Sequence, residues 1–403
     1  TIIDFLNRFN DENAGRYRLT AKIFSTTEAA ESLRREMSSE NPPDIVGPVG
    51  IALLSQFPGG WLDLTDRIEK TDYDLTDFDP ALVDMYRFGS EGLISLPFAL
   101  FPSALWYNKP LFDDAGIAYP PHDWETEYQG KDWDYSALRD IARKLTLDQQ
   151  GRSAAQSGFD PEAVSQFGFS THWTTLRGQW SYFGAGTFTD ERGKAVIPEV
   201  WRNAARWYYD GIWKDRFIPS MPEIFSEELG NGNPFASGNL AMMPQNLWYT
   251  CCVGSADWDA AAIPSFEGGR PVAKYHADSF AISKNSKNPQ GAFDVISLFL
   301  GRYALELRKA FGYDLCSFPG RISLQPDSIA LLRSRFPGVD FQVFLEGLNY
   351  LDQPNHESGL PNFMAAEAVY EGFRNRYESE GNLNLDAELD ALRLDLQAVF
   401  DQE

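Results

Sequence analysis

The chain has little cysteine, no long apolar run and no excess of basic residues. Its 403 residues include three cysteines and four histidines, whereas a structural zinc site needs about four such ligands at short spacing. No run of about eighteen apolar residues occurs, so no membrane-spanning helix is predicted. The net charge of −23 argues against nucleic acid, which needs a basic surface. We therefore expect no metal and no nucleic-acid partner.

The few cysteines leave the redox state open. A disulfide from Cys316 to either Cys251 or Cys252 would suit an oxidising compartment. The alternative is three reduced, buried thiols. Neither a signal peptide nor a lipid-anchor cysteine is visible, and a mature chain explains that as well as a cytoplasmic one does.

Several enzyme signatures are also missing. The nucleophile string G-x-S-x-G and the phosphate and dinucleotide fingerprints do not occur, so we expect no cofactor and no enzyme of those classes. A glycoside hydrolase is the remaining enzymatic alternative, because 58 acidic residues could supply a pair of carboxylates beside a sugar. The chain lacks the regular strand-and-helix repeat of a barrel.

The sequence does contain alternating strand and helix patterns, and it is long enough for two cores. Strands are predicted at residues 19–24, 45–46 and 167–171. Helices are predicted at residues 1–15, 27–37, 135–145 and 290–308, and a last helix carries an apolar stripe from Leu385 to Val399. The sequence therefore predicts an α/β protein.

The stretch 93–124 organises this pattern. Two apolar runs, 93–96 and 104–107, are separated by Pro97 and Pro102, which predicts two strands joined by an irregular segment. A short helix should follow from Leu111 and end at Gly116 in a left-handed conformation. Such a segment is typical of a chain that leaves one sheet and enters another.

These residues resemble the family 1 extracellular solute-binding proteins, the capture subunits of ATP-driven sugar importers. The resemblance rests on several strings in the family's order, namely PPDIV at 42–46, the edge GGWLDLT at 59–65, LWYNK at 105–109, FASGNLAM at 235–242, and SFAISKNSKNP at 279–289. The family's usual first strand is not seen before the first helix. A solute-binding sensor would have the same appearance.

The resemblance implies a two-lobed periplasmic-binding-protein-like fold, each lobe a sheet flanked by helices with a hinge between them. We expect one lobe from residues 1–102 and 281–318, and the other from 103–280 and 319–403. It further implies a monomer that is periplasmic or lipid-anchored at the cell surface. Such a protein would capture a small carbohydrate by hinge closure and deliver it to the membrane permease subunits of an ABC importer.

Sugar sites need aromatic faces and a few placed hydrogen-bonding groups. Trp248 stands where the family commonly stacks an aromatic ring on the sugar, and Trp173 and Trp180 are candidates for a second ring, each equally well a core residue. Phe101 stands where the maltose binder has an acidic contact, which puts maltose itself in doubt.

Polar candidates lie near the expected crossings between lobes. The possible partners of sugar hydroxyls are Ser103, Gln245, Asn246, His276 and Asp278. Arg177 and Arg321 would bind an anionic group if they faced the cleft. The alternative, which we favour, is that each arginine is a surface or bridging charge, and we expect a neutral ligand.

Overall fold

The computed structural model describes residues 1–25 and 27–402, and the chain divides into two compact units. The first unit contains Thr1–Phe101 and His276–Arg335, and the second contains Pro102–Tyr275 and Phe336–Glu403. The chain thus changes unit after residues 101, 275 and 335, whereas the sequence placed the changes after 102, 280 and 318. The domain assignment itself stays a prediction.

The first unit is a small sheet with helices. Strand Ile45–Gly50 pairs antiparallel with the part of strand Tyr275–Ile282 from Asp278 to Ile282, and Ala99–Leu100 pair with Phe318–Pro319. Arg87–Phe88 and Gly92–Leu93 form a two-stranded ladder. The helices are Ile2–Glu12, Ala29–Met37, Ile51–Leu54, Thr65–Thr71, Pro80–Asp84, Gly89–Glu91, Pro289–Leu300, Ala304–Phe311, Ile322–Leu324 and Gln325–Arg335.

The second unit is built on a mixed sheet. Residues 103–107 of strand Ser95–Asn108 pair antiparallel with strand Leu240–Asn246, whose other edge runs parallel to Val164–Phe169. Trp258–Ala261 and Leu147–Asp148 extend the sheet on its two sides, and Glu127–Tyr128 pairs with Lys131–Asp132. The helices are Lys109–Ala115, Tyr135–Leu145, Leu176–Ser181, Glu199–Trp213, Met221–Ile224, Leu247–Cys251, Gln342–Glu346, Gly347–Tyr350, Phe363–Tyr377 and Leu385–Phe400.

Most of the predicted helices are confirmed. The helix Tyr135–Leu145 has the predicted bounds, and Leu385–Phe400 buries the predicted stripe from Leu389 to Val399, while Leu385 is half-buried. Helix Lys109–Ala115 ends at Gly116 with a φ of 64°, the left-handed conformation that glycine adopts without a steric penalty. No helix among the described residues is long and apolar enough to cross a membrane.

The predicted strand at 19–24 is wrong. This segment is irregular and mostly exposed, because no strand among the described residues pairs with it and a lone strand leaves its backbone groups unpaired. At Leu19 the side chain of Asn10 makes the hydrogen bonds that a neighbouring strand would make. The Asn10 amide donates to the Leu19 carbonyl, and the Asn10 side-chain oxygen accepts from the Leu19 N–H.

The predicted break at 97–102 is also wrong, since Ser95–Asn108 is one continuous strand of 14 residues. Pro102 is paired in neither of two ladders of this strand: pairing with Phe318–Pro319 covers residues 99–100, and pairing with strand Leu240–Asn246 begins at Ser103. A proline lacks the N–H that such a ladder position needs. The predicted helix at 290–308 is divided at Gly301, a residue of low helix propensity.

The cysteine pairing also differs from both expectations. Cys251 is bonded to its chain neighbour Cys252, and Cys316 is a free, half-buried thiol. The Cys316 Sγ lies 3.5 Å from the carbonyl oxygen of Gly312. Burial raises the pKa of this thiol to about 11, so Cys316 is a weak nucleophile at neutral pH.

Candidate ligand-binding site

Two tryptophan rings lie together at one edge of the second unit's sheet. Trp173 lies between strand Val164–Phe169 and helix Leu176–Ser181, and Trp248 lies in the helical turn Leu247–Cys251 after strand Leu240–Asn246. Because these two strands are parallel neighbours, the segments that follow them leave the same edge of the sheet. The ring centroids are 6.0 Å apart with 17° between the planes. We call Trp173 and Trp248 the tryptophan pair.

The pair is accessible to solvent but rests on a buried base. Trp173 is 42% exposed and Trp248 is half-buried. Tyr249 is fully buried and contacts both rings, with centroids 5.4 Å from Trp173 and 6.3 Å from Trp248. Its hydroxyl donates to the side chain of Asn233, and its ring packs edge-on against Trp106. The base fixes the position of two apolar rings that remain partly open to solvent.

His172 lies beside the pair as a buried, neutral imidazole. Its ring centroid is 5.6 Å from Trp173 and 6.4 Å from Tyr249. Burial, with a smaller contribution from the charge of Arg374, lowers the pKa of His172 to about 3. Neither ring nitrogen has a hydrogen-bond partner among the described residues, although a neutral imidazole offers one donor and one acceptor. A buried unpaired group of this kind is costly.

Three polar candidates take part in the fold around the pair. The Gln245 amide donates to the carbonyl of His172 at 3.0 Å, and its oxygen accepts from the N–H of Asn246 at 2.8 Å. The Asn246 amide donates to the carbonyl of Lys274 at 3.2 Å. Ser103 lies opposite Asn246 in the sheet and is fully buried. Gln245 and Asn246 hold the segments that carry the pair.

Trp180 lies in the core. Its ring is fully buried among Phe188, Trp201 and Phe373, with centroids about 6 Å away. This is the core alternative that the sequence left open for one of the two tryptophans near 170–180. The structure does not bring Trp180 to the tryptophan pair.

The two candidate arginines donate their hydrogen bonds within their own units. Arg177 is fully buried and donates to the carbonyl of Ser358 at 2.9 Å, and burial lowers its pKa. Its Nε has no hydrogen-bond partner among the described residues. In the first unit, Arg321 donates to Leu300, Asp77 and Tyr73, and its guanidinium lies 4.8 Å from the ring centroid of Phe78.

The other candidates belong to the first unit. Phe101 contacts the ring of Tyr313 edge-on at 5.4 Å, and the Tyr313 hydroxyl donates to Asp278 at 2.8 Å. Burial, reinforced by the charge of Asp278 and this hydrogen bond, raises the pKa of Tyr313. His276 is half-buried. Phe101 and Asp278 are thus joined through Tyr313.

The sequence reasoning missed the residues that support the pair. His172 and Tyr249 each adjoin a candidate tryptophan in the chain, and this adjacency after a strand was the available signal. Lys274 donates to the Thr174 hydroxyl at 2.8 Å and is fully buried. Nothing in the sequence near Lys274 distinguishes it from a surface lysine.

The comparison with known families identifies the family of the chain. The model of the bacterial extracellular solute-binding protein family matches residues 4–302. The chain belongs to this family. It is therefore a binding protein of the extracellular class, with the α/β, two-lobed fold of periplasmic binding proteins.

Solved structures share the fold at low sequence identity. UspC of Mycobacterium tuberculosis superposes with a TM-score of 0.76 at 20% identity, covering 98% of this chain and 96% of that one. The cyclic alpha-maltosyl-1,6-maltose binding protein of Arthrobacter globiformis gives a TM-score of 0.74 at 17% identity, covering 100% and 95%.

A curated relative is a probable ABC transporter-binding protein of Deinococcus radiodurans. It is 24% identical over 230 residues, which is 55% of this chain and 50% of the relative. The match to this relative therefore spans about half of its length.

Proposed function

We propose that this solute-binding protein captures a neutral carbohydrate on the tryptophan pair. The carrying observation is the pair itself: two nearly parallel indole faces, open to solvent and fixed from below by Tyr249. An apolar aromatic face is suited to the C–H face of a pyranose ring, and it contributes contact energy at little entropic cost.

The neutral His172 supports a ligand that carries hydroxyl groups. A neutral imidazole can donate to one hydroxyl and accept from another, and both nitrogens lack partners among the described residues. Because its pKa is about 3, His172 offers no positive charge to an anion at neutral pH. Arg177 and Arg321 are engaged elsewhere in their own units, which also favours a neutral ligand.

The relatives support delivery to an importer. The Arthrobacter globiformis protein is named for binding a cyclic maltosyl-maltose, and the Deinococcus radiodurans relative is named a probable ABC transporter-binding protein. We propose that this chain acts as a monomer, closes about its hinge on the saccharide and passes it to permease subunits of an ABC importer. Ligand bound between lobes stabilises the closed state only by its higher affinity for that state.

A thermal-shift screen tests the proposal. Neutral mono-, di- and oligosaccharides, sugar acids and sugar phosphates are each added to the protein, since a bound ligand raises the melting temperature by mass action. We expect a neutral saccharide to give the largest shift. In Trp248→Ala the affinity for that saccharide should fall by about 2 kcal/mol, roughly 30-fold.

Matched variants separate stacking from folding. Trp248→Phe keeps an aromatic face and should retain part of the affinity, while the apo melting temperature of Trp248→Ala should change little. Unchanged affinity in Trp248→Ala would contradict the assignment of the pair. Turnover of aryl glycosides by the wild-type protein would instead identify a glycoside hydrolase.

A further inference from the structure

Trp173 has a backbone conformation that its side chain does not favour. Its φ is 52°, in the left-handed region where a bulky residue is a genuine outlier. Such a conformation is unfavourable and persists only where the surrounding structure over-determines it, which is often at a ligand site. The contacts that hold Trp173 in place are therefore worth identifying.

Hydrogen bonds hold the chain on both sides of Trp173. Before it, the carbonyl of His172 accepts from Gln245 at 3.0 Å. After it, the Thr174 hydroxyl accepts from Lys274 at 2.8 Å, and the Thr174 carbonyl accepts from Arg374. Lys274 is fully buried and Arg374 is 7% exposed, so two buried basic side chains converge on the residue next to Trp173.

Formation of the adjacent helix does not require these two side chains. Helix Leu176–Ser181 has its own N-cap, because the Thr175 hydroxyl accepts from the N–H of Gly178 at 3.2 Å.

The Thr174 side chain is also enclosed sterically. A Cβ built on Gly178 would lie 2.1 Å from the Thr174 hydroxyl oxygen and 3.2 Å from Cδ of Lys274. The absence of a side chain at Gly178 therefore leaves the space in which Lys274 and Thr174 meet. Thr174 is fixed by both packing and hydrogen bonding.

We infer that Thr174, held by Lys274 and Arg374, is a positioning residue that keeps Trp173 in its left-handed conformation, with its ring nearly parallel to that of Trp248. The inference deepens the proposed function, since its use to the protein depends on the pair binding a saccharide. The geometry it describes exists without a ligand.

The test uses fluorine NMR of the full chain labelled with 5-fluorotryptophan, which gives one resonance for each of the 11 tryptophans. Trp173→Phe and Trp248→Phe assign the two resonances of the pair, and Trp180→Phe assigns that of Trp180. In Thr174→Val, which keeps the shape but removes the hydroxyl, we expect both resonances to move by more than a linewidth while that of Trp180 stays in place. Thr174→Ser restores the hydroxyl and should return both to their wild-type positions.

A purely structural role for Thr174 gives a different result. It would lower the melting temperature of Thr174→Val while leaving both resonances in place, and that outcome overturns the inference. A second measurement does not depend on this variant: Trp173→Gly should melt at a higher temperature than Trp173→Ala, because glycine adopts the left-handed region freely. Equal melting temperatures would show that no strain is held at this position.

The failure of the inference can be told from the failure of the proposed function. Titrating the labelled wild-type protein with maltotriose and with mannotriose reports whether a saccharide reaches the pair. If neither moves the resonance of Trp173 or Trp248, binding of these saccharides at the pair is contradicted, while the Thr174→Val and Thr174→Ser spectra still decide the positioning role.

Discussion

Trp173 and Trp180 are seven positions apart, yet the segment before helix Leu176–Ser181 and the helix itself place them in opposite environments. The segment leaves Trp173 at 42% exposure beside Trp248, whereas the helix buries Trp180 completely. The N-cap at Thr175 separates the two. The residues of the helix pack in the core, whereas Trp173, before the cap, lies at the open edge of the sheet.

The largest expected difference between Trp173 and Trp180 is in the stability that each loses on substitution by alanine. Trp180→Ala should lower the free energy of unfolding by about 3–5 kcal/mol, because it leaves a cavity among packed aromatic rings. Trp173→Ala removes an exposed ring and should cost much less. Urea unfolding of both variants measures the difference. Similar losses in the two would remove the distinction between core and site.

The second prediction concerns the pH dependence that Lys274 gives to stability. Burial, together with the repulsion of Arg374, lowers the pKa of Lys274 to about 7, although the charges of Asp352 and Glu357 act in the opposite direction. The Lys274 Nζ lies 5.4 Å from the ring centroid of Tyr182. An unfolded lysine has a pKa of about 10.4. Between pH 7 and 10 the unfolded chain therefore binds a proton that the folded chain does not, so stability should rise with pH, by up to about 1.4 kcal/mol per unit.

Unfolding curves at pH 7, 8 and 9 measure this slope. Lys274→Met should flatten it, whereas the exposed Lys284 provides a control variant, Lys284→Met, that should keep the wild-type slope. Identical slopes in the wild type and Lys274→Met would show that Lys274 is not the group responsible. Below pH 7 the lysine is protonated in both states, and its contribution to the slope should vanish.

These contrasts also show what the sequence could predict. The helix at 135–145 and the stripe of the last helix follow from apolar periodicity, and the position of Trp248 follows from a family string. The sequence could not choose between Trp173 and Trp180, because the choice depends on where the helix begins and on which ring meets Trp201 and Phe373. The outcome depends on contacts between residues far apart in the chain.

The wrong strand at 19–24 has a similar cause. A strand pattern is local, but a strand needs a neighbouring strand, and no strand among the described residues pairs with this segment. Pro102 shows the opposite case, a strand that the local pattern did not predict. Proline disrupts a strand only where its missing N–H would be paired, and Pro102 is not paired in the ladders with Phe318–Pro319 and Leu240–Asn246. Buried Lys274 likewise owes its role to contacts with Thr174 that lie 100 positions away in the chain.

The third prediction concerns acid. Burial lowers the pKa of His172 to about 3, against about 6.5 in an unfolded chain. Between pH 6.5 and 3, His172 is protonated in the unfolded chain but not in the folded chain. Protonation therefore lowers the free energy of unfolding as the pH falls. In His172→Gln the free energy of unfolding should fall less steeply with decreasing pH than in the wild type. Urea unfolding at pH 7, 6 and 5 measures this. An unaltered acid profile would show that His172 is solvated.

The smallest expected effect is that of salt on saccharide affinity, and it extends the same contrast to charge. Arg177 lies in the helix with Trp180 and is bound to Ser358, so it belongs to the core side of the comparison. A neutral saccharide on the tryptophan pair should bind with nearly the same affinity from low salt to about 0.5 M, because salt screens charges and leaves apolar contacts intact.

Isothermal titration over a salt series measures this affinity in the wild type and in Arg177→Met, with the saccharide that gives the largest thermal shift. The variant should lose stability yet show the same flat salt dependence in its folded fraction. A steep fall in wild-type affinity with salt, abolished in Arg177→Met, would place a charge of the helix in the site and reverse the neutral-ligand proposal.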